Sequence, residues 1–353
     1  MLQSILEDNG RTFLSLELFF YRFEVAFVLP NTPRNRYGET QKENEIILSK
    51  FGKVSHLPLR RDLKYLFFNI FFFIRRFRTE EDKIIISITE YAGYISRFAY
   101  PFVDSRTILI HSHQCIDVKR KTGFEYLKHK TLETFCKRFC DYYFACSLSE
   151  QGILNKEFKI SDNKIILLRN YITREFSIIR KERKLFKDFI YFGRIVKEKQ
   201  VNILLEVFTE LDMLDKLCIV GEGNCLNQYK EKYVNSNFKG RIPHADLLPF
   251  LNNFGFYISA SQIEGLSFSL LESMYMGLVP IVSNVPGHND VIKNKYNGFL
   301  FSNKKELKKI IENLSTIDST DIIVMSKNAI QVSEASVNYS ENDFKKFIKI
   351  IYK

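Results

Sequence analysis

A chain of 353 residues, 45% of them hydrophobic, is long enough for two cores of ordinary size and too apolar to be disordered. Its 52 Lys and Arg against 41 Asp and Glu leave +11 at pH 7, which points to an anionic partner: lipid, nucleic acid or a sugar-nucleotide phosphate. Six scattered cysteines with no Cys-x-x-Cys pair exclude a zinc knuckle or a thioredoxin motif and imply reduced thiols.

The opening stretch, MLQSILEDNGRT, is acidic where a secretory leader would be basic, and no apolar run reaches the roughly 20 residues of a spanning helix. The expectation is a cytoplasmic chain, or one lying on the inner face of the cytoplasmic membrane. EVAFVL at 24–29 reads as a strand stopped by Pro30. A polar loop, a helix over 43–51 capped by Gly52, and a short strand over 53–58 follow. Next comes LKYLFFNIFFFIRRFR at 63–78, whose simplest role is a crossover helix before a strand at 83–88. An element apolar nearly all round belongs in a core or a bilayer interface, and the core is expected here. Its basic neighbours Lys64, Arg75, Arg76 and Arg78 make an anionic membrane surface the competing partner.

TILIHSHQC places a strand over 107–110 that opens onto His111 and His113. The two rings share a face, a geometry open to metal, but no third ligand of matching type is near in sequence and no metal site is assigned. At the carboxyl end of a parallel strand His111 would face the crevice where ligands bind; a hydrogen-bonded structural histidine is the plain alternative. A helix over 128–138, a strand over 142–146, a helix over 150–157 and a strand over 164–168 lead to Arg169, Asn170 and Tyr171.

The charged stretch 173–188 reads as a linker between a first domain at 1–172 and a second at 189–335. In the second, FIYFG, LCIVG, FGFYIS and VPIVS alternate with helices over 201–211, 226–234 and 246–253, with a short strand near Phe238. Such continuous apolar strands mark a parallel sheet covered on both faces. Three loops carry polar chemistry. Gly193-Arg194 and Lys199 put two cations about a turn, within reach of a diphosphate. GEGN at 221–224 has the form of a Gly-x-Gly phosphate turn through Gly221 and Gly223, without the third glycine of a dinucleotide fingerprint. Gly240-Arg241-Ile242 precedes the helix near Asp246.

The stretch ISASQIEGLSFSLLESMYMGL at 258–278 joins a strand, a loop and a helix that stops at Gly277. The free N–H groups at such a helix start favour a phosphate. Glu264 and Glu272 bracket that start. A sugar nucleotide fits it: sugar hydroxyls at Glu264, diphosphate on the N–H groups of Gly265, Leu266, Ser267 and Phe268, ribose at Glu272. A turn residue and a solvated helix position are the plain alternatives for the two carboxylates. The basic amphipathic tail, SENDFKKFIKIIYK, closes the chain as a helix over 336–353.

With these motifs the chain resembles the GT-B glycosyltransferases, in particular retaining family 4 of bacterial capsule, exopolysaccharide and O-antigen type. The resemblance runs from about residue 24 to the end. It implies an α/β protein with two Rossmann-like doubly wound domains facing a central cleft, the first binding an acceptor and the second a nucleotide sugar. The last helix would return toward the first domain. It implies metal-independent, retaining transfer from a nucleotide sugar, most often a UDP-sugar, to a lipid-linked or growing polysaccharide acceptor, with no further cofactor. Arg194 and Lys199 would hold the diphosphate, Glu264 the donor sugar, Glu272 the ribose and His111 the sugar from the first domain. Gly193, Gly221 and Gly223 would border the crevice, and Arg241 with Ile242 would hold the base. Asn170 stands where the family has the asparagine of an Asn-Gly turn, with Tyr171 replacing the glycine, and Gln200 replaces the glycine after the lysine. The family's opening strand with a glycine-rich turn is not matched. A non-catalytic binding or scaffold subunit is therefore an alternative, and a nucleotide-sugar epimerase, which would share the fold, is another. No nucleic-acid recognition motif is visible.

Overall fold

The structure, a computed structural model, describes residues 26–30, 53–57, 66–78, 84–88, 90–103, 107–113, 123–170, 172 and 188–351. The expected helix over 43–51, the linker to residue 187 and Cys115 lie outside the described residues. Cys136, Cys140, Cys146, Cys218 and Cys225 are free thiols. The chain divides into two compact units, Met1–Leu168 and Arg169–Lys353.

In the first unit β1 (Ala26–Pro30) pairs in parallel with β2 (Lys53–Leu57). A second sheet runs β3 (Ile84–Ile88), β4 (Ile108–Ser112), β5 (Tyr142–Ala145) and β6 (Ile165–Leu167), all parallel. Its helices are α1 (Leu66–Phe77), α2 (Glu90–Ala99), α3 (Gly123–Cys136) and α4 (Leu148–Phe158). The Ser147 side chain accepts from the Glu150 N–H to start α4, and Lys159 in the left-handed region ends it. The sequence reading did not anticipate α2. Gly93 and Ser96 weaken its helical signal, yet Tyr94, Ile95, Arg97 and Ala99 are all buried.

Two expectations change here. β4 extends past Ile110, so His111 lies within the strand, in register with Ser87 of β3 and Tyr143 of β5. The Phe-rich run is not buried all round: Phe67 and Phe71 are 85% and 58% exposed, while Phe73 and Phe77 pack against the core. A helix turns only one stripe inward, and residues 67, 71, 75 and 78 fall on the opposite one.

The second unit holds β7 (Phe189–Phe192), α5 (Val201–Glu210), β8 (Leu217–Val220), α6 (Leu226–Lys232), β9 (Asn237–Gly240) and α7 (His244–Leu251). Then follow β10 (Phe256–Ser259), α8 (Phe268–Tyr275), β11 (Val279–Ser283), β12 (Phe299–Phe301), α9 (Lys304–Asn313) and α10 (Ser319–Ile351). All six strands are parallel, in the order β12-β11-β10-β7-β8-β9. Chain order therefore reverses between β7 and β10. At such a switch point the connections leave in opposite directions and open a crevice beyond the strands' carboxyl ends.

The six residues from Leu270 to Tyr275 of α8 are all buried. Small side chains let α10 approach it: Ser333 Oγ donates to the Leu271 carbonyl at 2.9 Å and Ser326 Oγ to that of Gly277 at 2.5 Å. α10 starts at Ser319, well before the expected tail helix.

Candidate functional site

At the carboxyl ends of the strands the loops that carry Gly193, Lys199, Gly221, Gly223 and Glu264 meet. Beyond β7 the chain turns at Gly193, and Tyr191 Oη donates to the Arg194 carbonyl at 2.6 Å. The turn after β8 lies backbone on backbone against it. Gly193 N–H donates to the Val220 carbonyl at 3.1 Å, Ile195 N–H to that of Glu222 at 2.8 Å, and Cys225 N–H to that of Ile195 at 3.1 Å. A Cβ on Gly221 or Gly223 would overlap the carbonyl oxygens of Gly193 and Ile195. Both glycines are thus required by the approach of two loops, whatever ligand the loops meet. Gly221 N–H donates in turn to the Gly240 carbonyl at 2.8 Å, which ties in the third loop, where Arg241 is exposed and Ile242 half-buried.

A single turn over Lys197–Lys199 carries Lys199 back into this crevice. It ends on Gln200 at φ 48°, in the left-handed region, which explains why a glycine suits that position. Lys199 Nζ lies 2.5 Å from Glu264 Oε1. The two loops are also joined through the main chain, Gln262 N–H to the Glu198 carbonyl at 2.9 Å. Burial would raise the Glu264 carboxyl, but the Lys199 ammonium and His288 hold it below the ordinary carboxylate range. Lysine has three donors, so Lys199 can keep Glu264 and still offer hydrogens to a phosphate oxygen.

Gly265 and Leu266 are buried, and Ser267 caps α8 by accepting from the Leu270 N–H at 3.3 Å. Ser267, Phe268 and Ser269 keep N–H groups that no helical carbonyl reaches. Their partial positive charge adds to that of Lys199 beside Glu264. Glu272 lies within α8 and is buried, not a solvated helix position.

Sequence reasoning missed the wall behind Glu264. Gly287 has φ 87°, and a Cβ there would overlap the Gly265 carbonyl oxygen and lie 3.0 Å from that of Glu264. The next residue, His288, is fully buried, with Nε2 3.9 Å from Glu264 Oε1. Its Nδ1 lies 3.0 Å from the Ser283 carbonyl, an acceptor, so Nδ1 carries the hydrogen in the neutral ring. Ser283 Oγ donates to the Ser261 carbonyl at 2.6 Å, linking this wall to the loop after β10. Burial lowers the His288 pKa, against the pull of Glu264. The Pro-Gly step after VPIVS was the available signal.

In the first unit His111 is fully buried. Its Nδ1 sits 3.0 Å from Ser87 Oγ and 3.2 Å from the Ser87 carbonyl. A Cβ on Gly93 would lie 2.7 Å from Nδ1 and Nε2, so that glycine makes room for the ring. Burial, then His113 and Arg97, push the His111 pKa well down, and Nε2 has no hydrogen-bond partner among the described residues. The His113 ring is 4.3 Å away, with Nε2 3.2 Å from Glu133 Oε2. Arg97 grips that carboxylate in bidentate fashion at 2.6 and 2.9 Å. Despite burial, His113 and Arg97 hold Glu133 well below the usual carboxylate range. Glu133 is thus committed to an ion pair, and the described residues contain no group of three side chains placed to hold a metal.

Residues 174–331 match the family model described as glycosyl transferases group 1. Among characterised and uncharacterised relatives, the chain is similar to an uncharacterized glycosyltransferase of Methanocaldococcus jannaschii. They are 24% identical over 322 residues, covering 82% of this chain and 81% of the relative. It is also similar to the UDP-Gal:alpha-D-GlcNAc-diphosphoundecaprenol alpha-1,3-galactosyltransferase of Escherichia coli, 24% identical over 279 residues, covering 71% of this chain and 70% of that one. Among solved structures, Anabaena HepE in complex with UDP matches with a TM-score of 0.72 at 13% identity, over 93% of this chain and 100% of that chain. Fold, family match and relatives together support a glycosyltransferase of the GT-B fold.

Proposed function

We propose that this chain is a retaining glycosyltransferase that moves a sugar from a nucleotide sugar, UDP-linked by preference, to a lipid-linked or growing polysaccharide acceptor in surface polysaccharide synthesis. The observation that carries the reading is the Lys199–Glu264 pair at the switch point, beside the amino end of α8. The second unit would take the donor and the first the acceptor. As the bond between the anomeric carbon and the phosphate oxygen breaks, charge grows on the diphosphate. Arg194, Lys199 and the N–H groups after Glu264 are preorganised against that charge, usually the largest catalytic contribution. Glu264 would orient the sugar, Glu272 the ribose, Arg241 and Ile242 the base. The acceptor oxygen bonds to the anomeric carbon on the face the phosphate leaves, and the departing phosphate oxygen takes the acceptor's proton. The cationic positions are filled by side chains, so this route needs no divalent ion.

The relative from Escherichia coli is named for transfer from UDP-Gal to a diphosphoundecaprenol-linked sugar, and HepE holds UDP, which favours a uridine donor and a lipid-linked acceptor here. Net charge of +11 and the exposed Phe67 and Phe71 beside exposed Arg75 and Arg78 favour docking on an anionic membrane surface. Among the described residues no helix is long and apolar enough to cross a membrane. The test is product analysis with a panel of nucleotide sugars and a lipid-linked acceptor, with and without EDTA. Transfer with retained anomeric configuration in both is expected. Inverted product, or loss in EDTA restored by manganese or magnesium, would refute the mechanism.

A further inference from the structure

Arg169 and Asn170 open the second unit, and each is held by a side-chain bond inside it. Arg169 Nε donates to Asp343 Oδ2 at 2.7 Å and Nη2 to Oδ1 at 3.0 Å. The Asp343 residue is 1% exposed, and the guanidinium lies over the Tyr339 ring, 4.6 Å from its centroid. A bidentate pair fixes orientation as well as distance, so this stretch of main chain is clamped onto α10. Asn170 comes next, and its Nδ2 donates to the Leu266 carbonyl at 2.7 Å.

Leu266 precedes the cap residue Ser267, so the bonded carbonyl belongs to the peptide that ends in the Ser267 N–H. No cis peptide occurs among the described residues. In a trans peptide C=O and N–H point in opposite directions, and fixing one fixes the other. The Ser267 side chain is already committed to Leu270, and the Gly265 carbonyl is confined by Gly287. The Leu266 carbonyl lies between these two fixed points, and the amide of Asn170 settles it.

We propose that Asn170 is a positioning residue for the donor site: it locks the Leu266–Ser267 peptide so that the Ser267 N–H meets the donor diphosphate, and the Arg169–Asp343 pair locks Asn170. This rests on the donor site proposed above. Asn170 does not touch the donor. It acts on an amide that would otherwise be able to flip, and a flipped peptide would turn a carbonyl oxygen toward the phosphates.

The test is calorimetric titration of the full chain with UDP and, separately, with uridine, for the parent, Asn170→Ala, Asn170→Asp and Asp343→Asn. Both Asn170 variants lose the N–H donor, and the aspartate also repels the carbonyl. UDP affinity is expected to fall roughly tenfold in each, while uridine binding and the melting temperature stay with the parent. Asp343→Asn, which loosens Arg169, is expected to fall in the same direction by less. Unchanged UDP affinity in both Asn170 variants would overturn the inference while leaving the donor site standing. Equal losses for UDP and uridine, together with a lower melting temperature, would also overturn it, since they would mark a merely structural role. A parent that binds no nucleoside diphosphate would instead overturn the donor-site reading, and the inference with it.

Discussion

Replacing Gly287 by alanine tests whether the loop after β11 sets the position of Glu264. At φ 87° the added methyl puts an L side chain in the left-handed region, at a cost of about 1–2 kcal/mol. The methyl also overlaps the Gly265 carbonyl oxygen and approaches that of Glu264 to 3.0 Å, so one loop must move. Overpacking of this kind costs about 1–3 kcal/mol. The sum, about 2–5 kcal/mol, is a large part of an ordinary domain's stability and lowers its melting temperature by roughly 4–20 °C. The displacement falls on the main chain that carries Glu264, where a shift of about 1 Å can cost on the order of a hundredfold in turnover. Thermal melting followed by circular dichroism, with transfer measured below the transition, reads both effects. A Gly287→Ala protein that melts and turns over with the parent would refute the close approach and the role given to this loop.

Arg194→Ala and Glu272→Ala are each expected to weaken UDP binding by about 1.5–3 kcal/mol, the usual loss for a charge-assisted hydrogen bond, with the fold intact by circular dichroism. Calorimetry that finds both unchanged would remove them from the site. Acid should destabilise the protein through His111 and His288, whose pKa values are depressed by burial from the ordinary 6.5. Unfolded chains bind the proton first, so this stability is complete above about pH 6.5 and is lost as pH falls toward the folded values. Denaturant titrations from pH 7 to 5 should show a shallower fall in His288→Gln than in the parent, and equal slopes would contradict the assignment. Vesicle flotation should carry the parent with anionic lipid at physiological salt and lose it when Arg75, Arg76 and Arg78 become Glu, since each basic residue near the surface contributes about 1 kcal/mol. A parent that stays at the bottom of the gradient would exclude docking through α1.

What could be read from the sequence was local. Phe256–Ser259, the loop with Glu264 and the helix ending before Gly277 are contiguous, and strand, loop and helix each announce themselves by composition within a few residues. The same holds for Gly193-Arg194 after β7 and for the parallel strands of the second unit. Non-local packing was not readable. Gly287 and His288 reach Glu264 only because β11 lies beside β10, and nothing near Glu264 in sequence implies them. His111 looked like a residue at a strand end because Ser112 and His113 are polar. The strand runs on to Ser112, and pairing with Ser87 and Tyr143 on either side holds His111 within its carboxyl end. Arg97 and Glu133 lie 36 residues apart, and each alone reads as a solvated charge; only the packing of α2 against α3 makes them a buried pair. For α1 the composition suggested burial all round, while the helical period admits one buried stripe.

The central claim is that Lys199 and Glu264 divide the donor between them, the lysine taking the diphosphate and the carboxylate the sugar. Parallel titration and turnover of the parent, Lys199→Met and Glu264→Gln separate the two roles. Lys199→Met should bind UDP tenfold or more weakly, about the loss of one charge-assisted bond, whereas Glu264→Gln should bind UDP as the parent does yet lose transfer. UDP affinity unchanged in Lys199→Met, or full transfer by Glu264→Gln, would contradict the account.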